Sequence, residues 1–205
     1  MKLERRVYLI LEVLKKLFPN IGPFLNFSNP WEVLVAVILS AQCTDERVNL
    51  VTKNLFKKYK KIEDYANADV AEFQKDIFST GFYKSKTRHI LSSASIIIHE
   101  FNGQVPSNMN DLLKLSGVGR KTANVLLYQA FGKQEGIAVD THVKRLTQLL
   151  GLTKNQDPIK IEKDLIKILP NNEWGEFSLR LIAYGRKYCS AKKHDHKNCP
   201  LNFIA

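Results

Sequence analysis

Apolar side chains recur along this chain at intervals of three and four residues, the spacing that lines one face of an α-helix. Leu3, Val7, Ile10, Leu11, Leu14, Leu17 and Phe18 form the first such stripe. Asn29-Pro30-Trp31-Glu32 reads as a helix start, with Asn29 as N-cap, proline at the first helical position and an acid two residues on. Residues 33–41 are almost wholly apolar, which predicts a buried helix. Thr44-Asp45 can cap a further helix running to about residue 59. Helical spacing continues over 69–78, 83–101, 110–115, 120–131, 141–150, 158–169 and 173–188. Gly103, Gly132 and Gly151 fall where C-terminal caps belong. Alternating strand patterns joined by hairpin turns are missing, so the predicted fold class is all-α. No low-complexity linker or long repeat marks a domain boundary.

The 205 residues suffice for one domain or two small interleaved ones. A content of 44% hydrophobic and 25% charged residues is ordinary for a globular protein. The net charge of +11 is not, and it favours a polyanionic partner. Charge alone does not decide, because a chain rich in Lys, Asn and Ile also reflects an AT-rich genome. The cysteines, Cys43, Cys189 and Cys199, are too few for a disulfide framework and point to a reducing compartment. The short apolar stretch 7–11 is broken by Glu12, Lys15 and Lys16, which argues against a secretion signal, and no run could span a bilayer. A cytoplasmic protein without a membrane partner is expected.

Residues 112–128 read LLKLSGVGRKTANVLLY: helix, a four-residue turn Ser116-Gly117-Val118-Gly119, then helix. Glycines let such a turn take positive φ and approach another backbone closely. Successive N–H groups at a helix start form a concave anion site, where a DNA phosphate fits without any base being read. Arg120 adds positive charge at the same place. A tight helical hairpin without a ligand is the plain alternative. Nineteen positions after Lys121 comes Asp140, within AVDTHVKRL at 138–146.

LSGVGRKTANVLL followed by AVDTHVKRL resembles the signature pair of the endonuclease III family, within the helix-hairpin-helix DNA glycosylase/AP lyase superfamily. The resemblance extends to LSAQCTDERVN at 39–49 and STGFYKSKTRHI at 79–90, and runs from near residue 1 to about 189. It implies two helical domains with a DNA cleft between them. One is a six-helix barrel containing the hairpin, at 22–133; the other is discontinuous, from 1–21 and 134–205. It further implies a monomeric base-excision repair enzyme acting on double-stranded DNA that carries damaged bases or abasic sites. The activity implied is that of a bifunctional glycosylase and apurinic/apyrimidinic lyase for oxidised pyrimidines, with Lys121 as nucleophile and Asp140 as its carboxylate partner. Adenine-mismatch glycosylases of the superfamily usually carry a small hydroxyl residue in place of the lysine. Two alternatives stand beside this: a glycosylase of other base choice, such as mismatched uracil or thymine, and a non-catalytic DNA-binding module.

The chemistry needs these residue types. A damaged base must leave the stack before a protein can reach its sugar. A neutral amine then attacks C1′ and displaces the base, and the resulting imine acts as an electron sink for loss of a C2′ proton and cleavage on the 3′ side. The site must therefore favour the neutral amine; partial burial of Lys121, Arg120 nearby and the positive helix start would all push that way. Asp140 would assist by deprotonation and by stabilising positive charge on the sugar, and it is also placed to cap the helix that follows.

Further positions carry over one at a time. Gly117, Val118, Gly119 and Arg120 form the implied DNA-binding hairpin. Gln42 matches the glutamine that fills the gap left by the extruded base, a backbone-bonding structural role being the alternative. Phe82 stands where the family usually inserts an aliphatic wedge; intercalating wedges are apolar of either kind, and a place in the core is the alternative. Lys84, Lys86 and Arg88 would contact phosphates or form a wet helix face. Asp45 assists the pocket or, the favoured reading, caps its helix. His142 orients Asp140 or its backbone, or is a satisfied structural histidine.

Most of the family binds a [4Fe–4S] cluster through C-x6-C-x2-C-x5-C. Here those positions hold Cys189, His196, Cys199 and Ala205, and such a cluster requires four thiolate-type ligands, so its absence is expected. Cys189, His194, His196 and Cys199 also spell C-x4-H-x-H-x2-C, whose ligand types suit tetrahedral zinc although the H-x-H step is irregular. The plainer reading is a degenerate loop without metal, in which Lys192, Lys193 and Lys197 still meet DNA phosphate. Packing, with Phe203 and Ile204 involved, would replace the cluster's structural role.

Overall fold

The computed structural model describes residues 1–202, so Phe203, Ile204 and Ala205, named above as packing residues and as a cluster position, lie outside the described residues. Those residues form helices and turns, with no strand among them. No described helix is long and apolar enough to cross a membrane. The chain divides into two compact units, one comprising residues 23–133 and the other residues 1–22 with 134–205.

The first unit is built around α2 (Pro30–Leu39). Every residue from Trp31 to Leu39 except Glu32 is buried, as its unbroken apolar run requires. The Asn29 side chain accepts the Glu32 amide at 3.0 Å, and Pro30 opens the helix where no N–H is needed. Around it lie α3 (Asp45–Lys58), α4 (Ile62–Ala66), α5 (Val70–Ile77), α6 (Tyr83–Glu100), α7 (Met109–Leu112) and α8 (Arg120–Phe131). Helices α3, α6 and α8 all pack on α2, and α4 packs on α6. Trp31, Tyr59, Tyr65 and Phe73 meet in tilted and edge-to-face contacts at one end of this core.

Helix α4 escapes a spacing argument because five residues hold barely one turn. Its start is fixed by Asp64, whose carboxylate accepts the Lys60 and Lys61 amides. Helix α7 is shorter than the predicted 110–115, because the chain tightens there into i→i+3 bonds, Lys114 N–H to Asp111 and Leu115 N–H to Leu112.

The second unit comprises α1 (Leu3–Leu17), α9 (Thr141–Leu149), α10 (Pro158–Ile168) and α11 (Trp174–Lys187). Val7, Ile10, Leu11 and Leu14 of the first stripe are buried, whereas Leu3 is exposed. Helices α1 and α9 pack on α11. Buried Arg180 of α11 pairs with Glu173 and Glu176 and donates to the Phe18 carbonyl, so a charge inside this unit is compensated and tied to the end of α1.

Candidate active site

The turn before α8 is held by α6. The His89 Nδ1 lies 2.9 Å from Ser116 Oγ, its Nε2 lies 3.2 Å from Ser85 Oγ, and Ser93 Oγ donates to the Ser116 carbonyl at 3.0 Å. Gly117 takes φ +77°, and a Cβ there would sit 2.8 Å from His89 Cγ. The close approach that demands glycine is therefore to an imidazole rather than to another backbone. Gly119 differs: its φ is −96°, and a Cβ there would meet nothing within 4 Å. It is the N-cap of α8, is exposed, and supplies no side-chain cap. Val118 is buried in the core, which leaves only its backbone for a ligand. Lys121, the second residue of α8, is exposed, in contrast to the partial burial expected of it. Arg120 beside it is half-buried.

Thr122, the next residue, lines a cavity of about 280 Å³ together with Gln42, Phe82, Lys86, His89 and Gly117. The cavity lies wholly within the first unit. Gln42 at φ +53° and Phe82 at φ +49° both occupy the left-handed region, which non-glycine residues rarely adopt. Such strain persists where the surroundings over-determine it, commonly at functional sites. Phe82 is 64% exposed, so it is not a core residue. Gln42 is exposed as well, and Lys84 and Arg88 lie on the exposed face of α6.

Lys86 is neither a phosphate contact nor part of a wet face. It is buried, and its ammonium donates to the carbonyls of Leu39 at 2.7 Å and Thr80 at 2.8 Å. Burial holds its pKa below the ordinary lysine value. By satisfying the end of α2 and the turn before α6 at once, Lys86 ties the segment bearing Gln42 to the segment bearing Phe82. Asp45 does not cap α3; Thr44 does, accepting the Arg47 amide, and Asp45 is the first helical residue.

Asp140 and Lys193 belong to the second unit. Asp140 is half-buried and is the N-cap of α9, with Oδ1 accepting the Val143 amide at 2.8 Å. His142 lies against α11 where Gly185 makes room, since a Cβ there would stand 2.7 Å from His142 Nδ1. Lys193 is exposed in the loop after α11, which also carries Cys189, His194, His196 and Cys199. One potential ligand atom from each of these four lies within 4.8 Å of the other three. Two sulfurs and two imidazoles do not supply the four thiolates that a [4Fe–4S] cluster takes.

Sequence reasoning missed His89, Ser93 and Ser116 as the device that fixes the hairpin. Ser85, His89 and Ser93 share one face of α6 at four-residue spacing, which was readable; the turn they hold, 23 to 27 residues away, was not.

Residues 35–171 match the HhH-GPD superfamily of base excision DNA repair proteins. Endonuclease III of Synechocystis sp. (strain ATCC 27184 / PCC 6803 / Kazusa) is 49% identical over 198 residues, covering 97% of this chain and 90% of that protein. Two solved structures, a non-covalent endonuclease III–DNA complex and a trapped endonuclease III–DNA covalent intermediate, each superpose with a TM-score of 0.94 at 42% identity. Both matches cover 100% of this chain, with 95% and 96% of the respective structures.

Proposed function

Because the chain belongs to the endonuclease III family of the helix-hairpin-helix superfamily, we propose that it is a base-excision DNA repair enzyme, a DNA N-glycosylase that is also an apurinic/apyrimidinic lyase. Its substrate is duplex DNA with oxidised pyrimidines or abasic sites, met in the cytoplasm. The observation that carries the residue assignment is the pinned hairpin. A turn clamped by His89 and Ser93 presents Lys121 in an exposed position directly before the cavity-lining Thr122.

The Lys121 Nζ attacks C1′ of the extruded nucleotide as the neutral amine, and the bond from C1′ to the base breaks. Ring opening leaves an imine between Nζ and C1′. A proton then leaves C2′, its electron pair forms a C=C bond conjugated with the imine, and the 3′ C–O bond breaks with its electrons on the departing phosphate. Water finally releases the lysine. Lys121 is exposed, so bound DNA supplies the cover that excludes water from its amine. Asp140 takes up protons and stabilises positive charge on the sugar, while keeping its place as the α9 cap. Backbone at Gly117, Val118 and Gly119, with Arg120, receives a phosphate. Phe82 enters the stack and Gln42 fills the vacated space, roles that suit their exposure and their strained backbones. Lys84 and Lys193 meet phosphates. The family's [4Fe–4S] cluster is not held by the usual ligands, because His196 and Ala205 stand at two of the four cysteine positions.

The test is a panel of duplexes containing thymine glycol, uracil, an adenine mismatch or an abasic site. Release of thymine glycol followed by 3′ cleavage, with direct cleavage at the abasic site, is expected. Tight binding that leaves every base and strand intact would instead establish a non-catalytic module, and release confined to uracil or a mismatch would move the base choice.

A further inference from the structure

We propose that Cys189, His194, His196 and Cys199 bind a single zinc ion, in a site that replaces the cluster rather than merely losing it. The inference rests on the reading above that the four-cysteine ligand set is gone, and it concerns the loop after α11.

The His196 Nδ1 lies 3.7 Å from Cys189 Sγ and 3.8 Å from Cys199 Sγ, and His194 Nε2 lies 3.3 Å from Cys199 Sγ. A zinc ion with Zn–S of about 2.3 Å and Zn–N of about 2.0 Å at tetrahedral angles separates its ligand atoms by roughly 3.3–3.8 Å. The three separations fall in the range of such tetrahedron edges, and the remaining pairs lie within 4.8 Å. Two cysteines and two histidines also serve one type of [2Fe–2S] centre, but there the sulfurs hold one iron and the imidazoles the other. Here one imidazole nitrogen stands at single-ion distance from both sulfurs, which selects a mononuclear site.

The surroundings orient the ligands as a metal requires. The His194 Nδ1 lies 2.8 Å from the Lys192 carbonyl, which can only accept. The ring proton is therefore on Nδ1, and the Nε2 lone pair faces the other ligands. Arg145 of α9 donates to the Cys189 carbonyl at 2.6 Å and approaches its sulfur at 3.7 Å, placing positive charge beside a prospective thiolate. Both sulfurs are buried, while His196 sits at the surface and leaves an entry path. The substitution pattern is self-consistent: His196 takes the place of one cluster cysteine, and His194, two residues earlier, supplies the fourth ligand that Ala205 cannot. Such an ion would join the end of α11 to the turn His196–Asn198 and order the loop that carries Lys192, Lys193 and Lys197.

The experiment is elemental analysis of the full-length chain purified under reducing conditions from cells supplied with both iron and zinc. It is paired with zinc(II) and cobalt(II) titration of the chelator-treated protein. One zinc per chain is expected, with iron well below stoichiometry and no absorption band near ~400 nm. The cobalt form should show the visible bands of a tetrahedral thiolate–imidazole site. H194A and H196A, checked for native helicity, should each weaken zinc binding by about tenfold or more in competition with a chelator. Iron with sulfide in the purified protein would overturn both this inference and the cluster reading on which it rests. Failure of the unmodified chain to take up zinc, or unchanged affinity in both variants, would overturn the zinc site alone.

Discussion

The Asp140 Oδ1 accepts the Val143 amide, so alanine at this position removes a cap and a charge together, whereas asparagine removes only the charge. Asp140→Ala is expected to lower stability by about 1 kcal/mol, the usual worth of an N-cap, and Asp140→Asn by much less. Both should slow single-turnover base release by roughly 100-fold or more, with affinity for the damaged duplex little changed. Equal, near-normal rates in the two variants would reduce Asp140 to a cap. The exposed Phe82 and the buried Lys86 show what a residue's type does not reveal. Both lie in one motif, STGFYKSKTRHI, yet the aromatic ring faces solvent and the ammonium sits inside on two carbonyls. The environment inverted their usual preferences, and a single sequence carries no record of that environment.

At the scale of elements, Gly117 and Gly119 separate folding from binding. Alanine at 117 must hold φ +77° and push His89 aside, so Gly117→Ala is expected to lower the urea midpoint by an amount equivalent to about 2 kcal/mol or more. Alanine at 119 meets nothing within 4 Å and suffers no φ strain, so Gly119→Ala should cost less than about 1 kcal/mol. Its methyl would stand on the open side where a phosphate is proposed to approach, and affinity for abasic duplex should fall all the same. An unchanged affinity would move the phosphate elsewhere. Most helices were legible because a long apolar stripe has only one good burial, and the caps Asn29, Thr44 and Asp140 announced where helices begin. Helix α4 was not legible, being too short to show a period, and the four-point tie between His89, Ser85, Ser116 and Ser93 needed a tertiary contact to be seen.

Across the whole molecule, titration at high pH gives a direction that can be checked. Burial raises the pKa of Tyr65 and of Tyr59, and hydrogen bonds to Asp76 and Glu72 raise that of Lys58. Each folded value lies above its unfolded one, so the stability these groups contribute is full below about pH 10 and is lost as pH climbs through the folded values. Lys86, lowered by burial, acts with the opposite sign and alone among these four. Stability from urea unfolding should therefore fall above about pH 10, and Tyr65→Phe, which keeps the ring contacts with Trp31 and Phe73, should soften the fall. A rise in stability over that interval would contradict this assignment of signs. The net charge of +11, which alone does not decide for nucleic acid, fits the DNA substrate of this family. The most direct measurement is borohydride reduction of the protein with abasic duplex, followed by digestion and mass mapping of the cross-linked peptide. The sugar remnant is expected on Lys121, with no cross-link in Lys121→Gln; a remnant on any other residue, or a Lys121→Gln protein that still cross-links, would contradict the proposed role of Lys121.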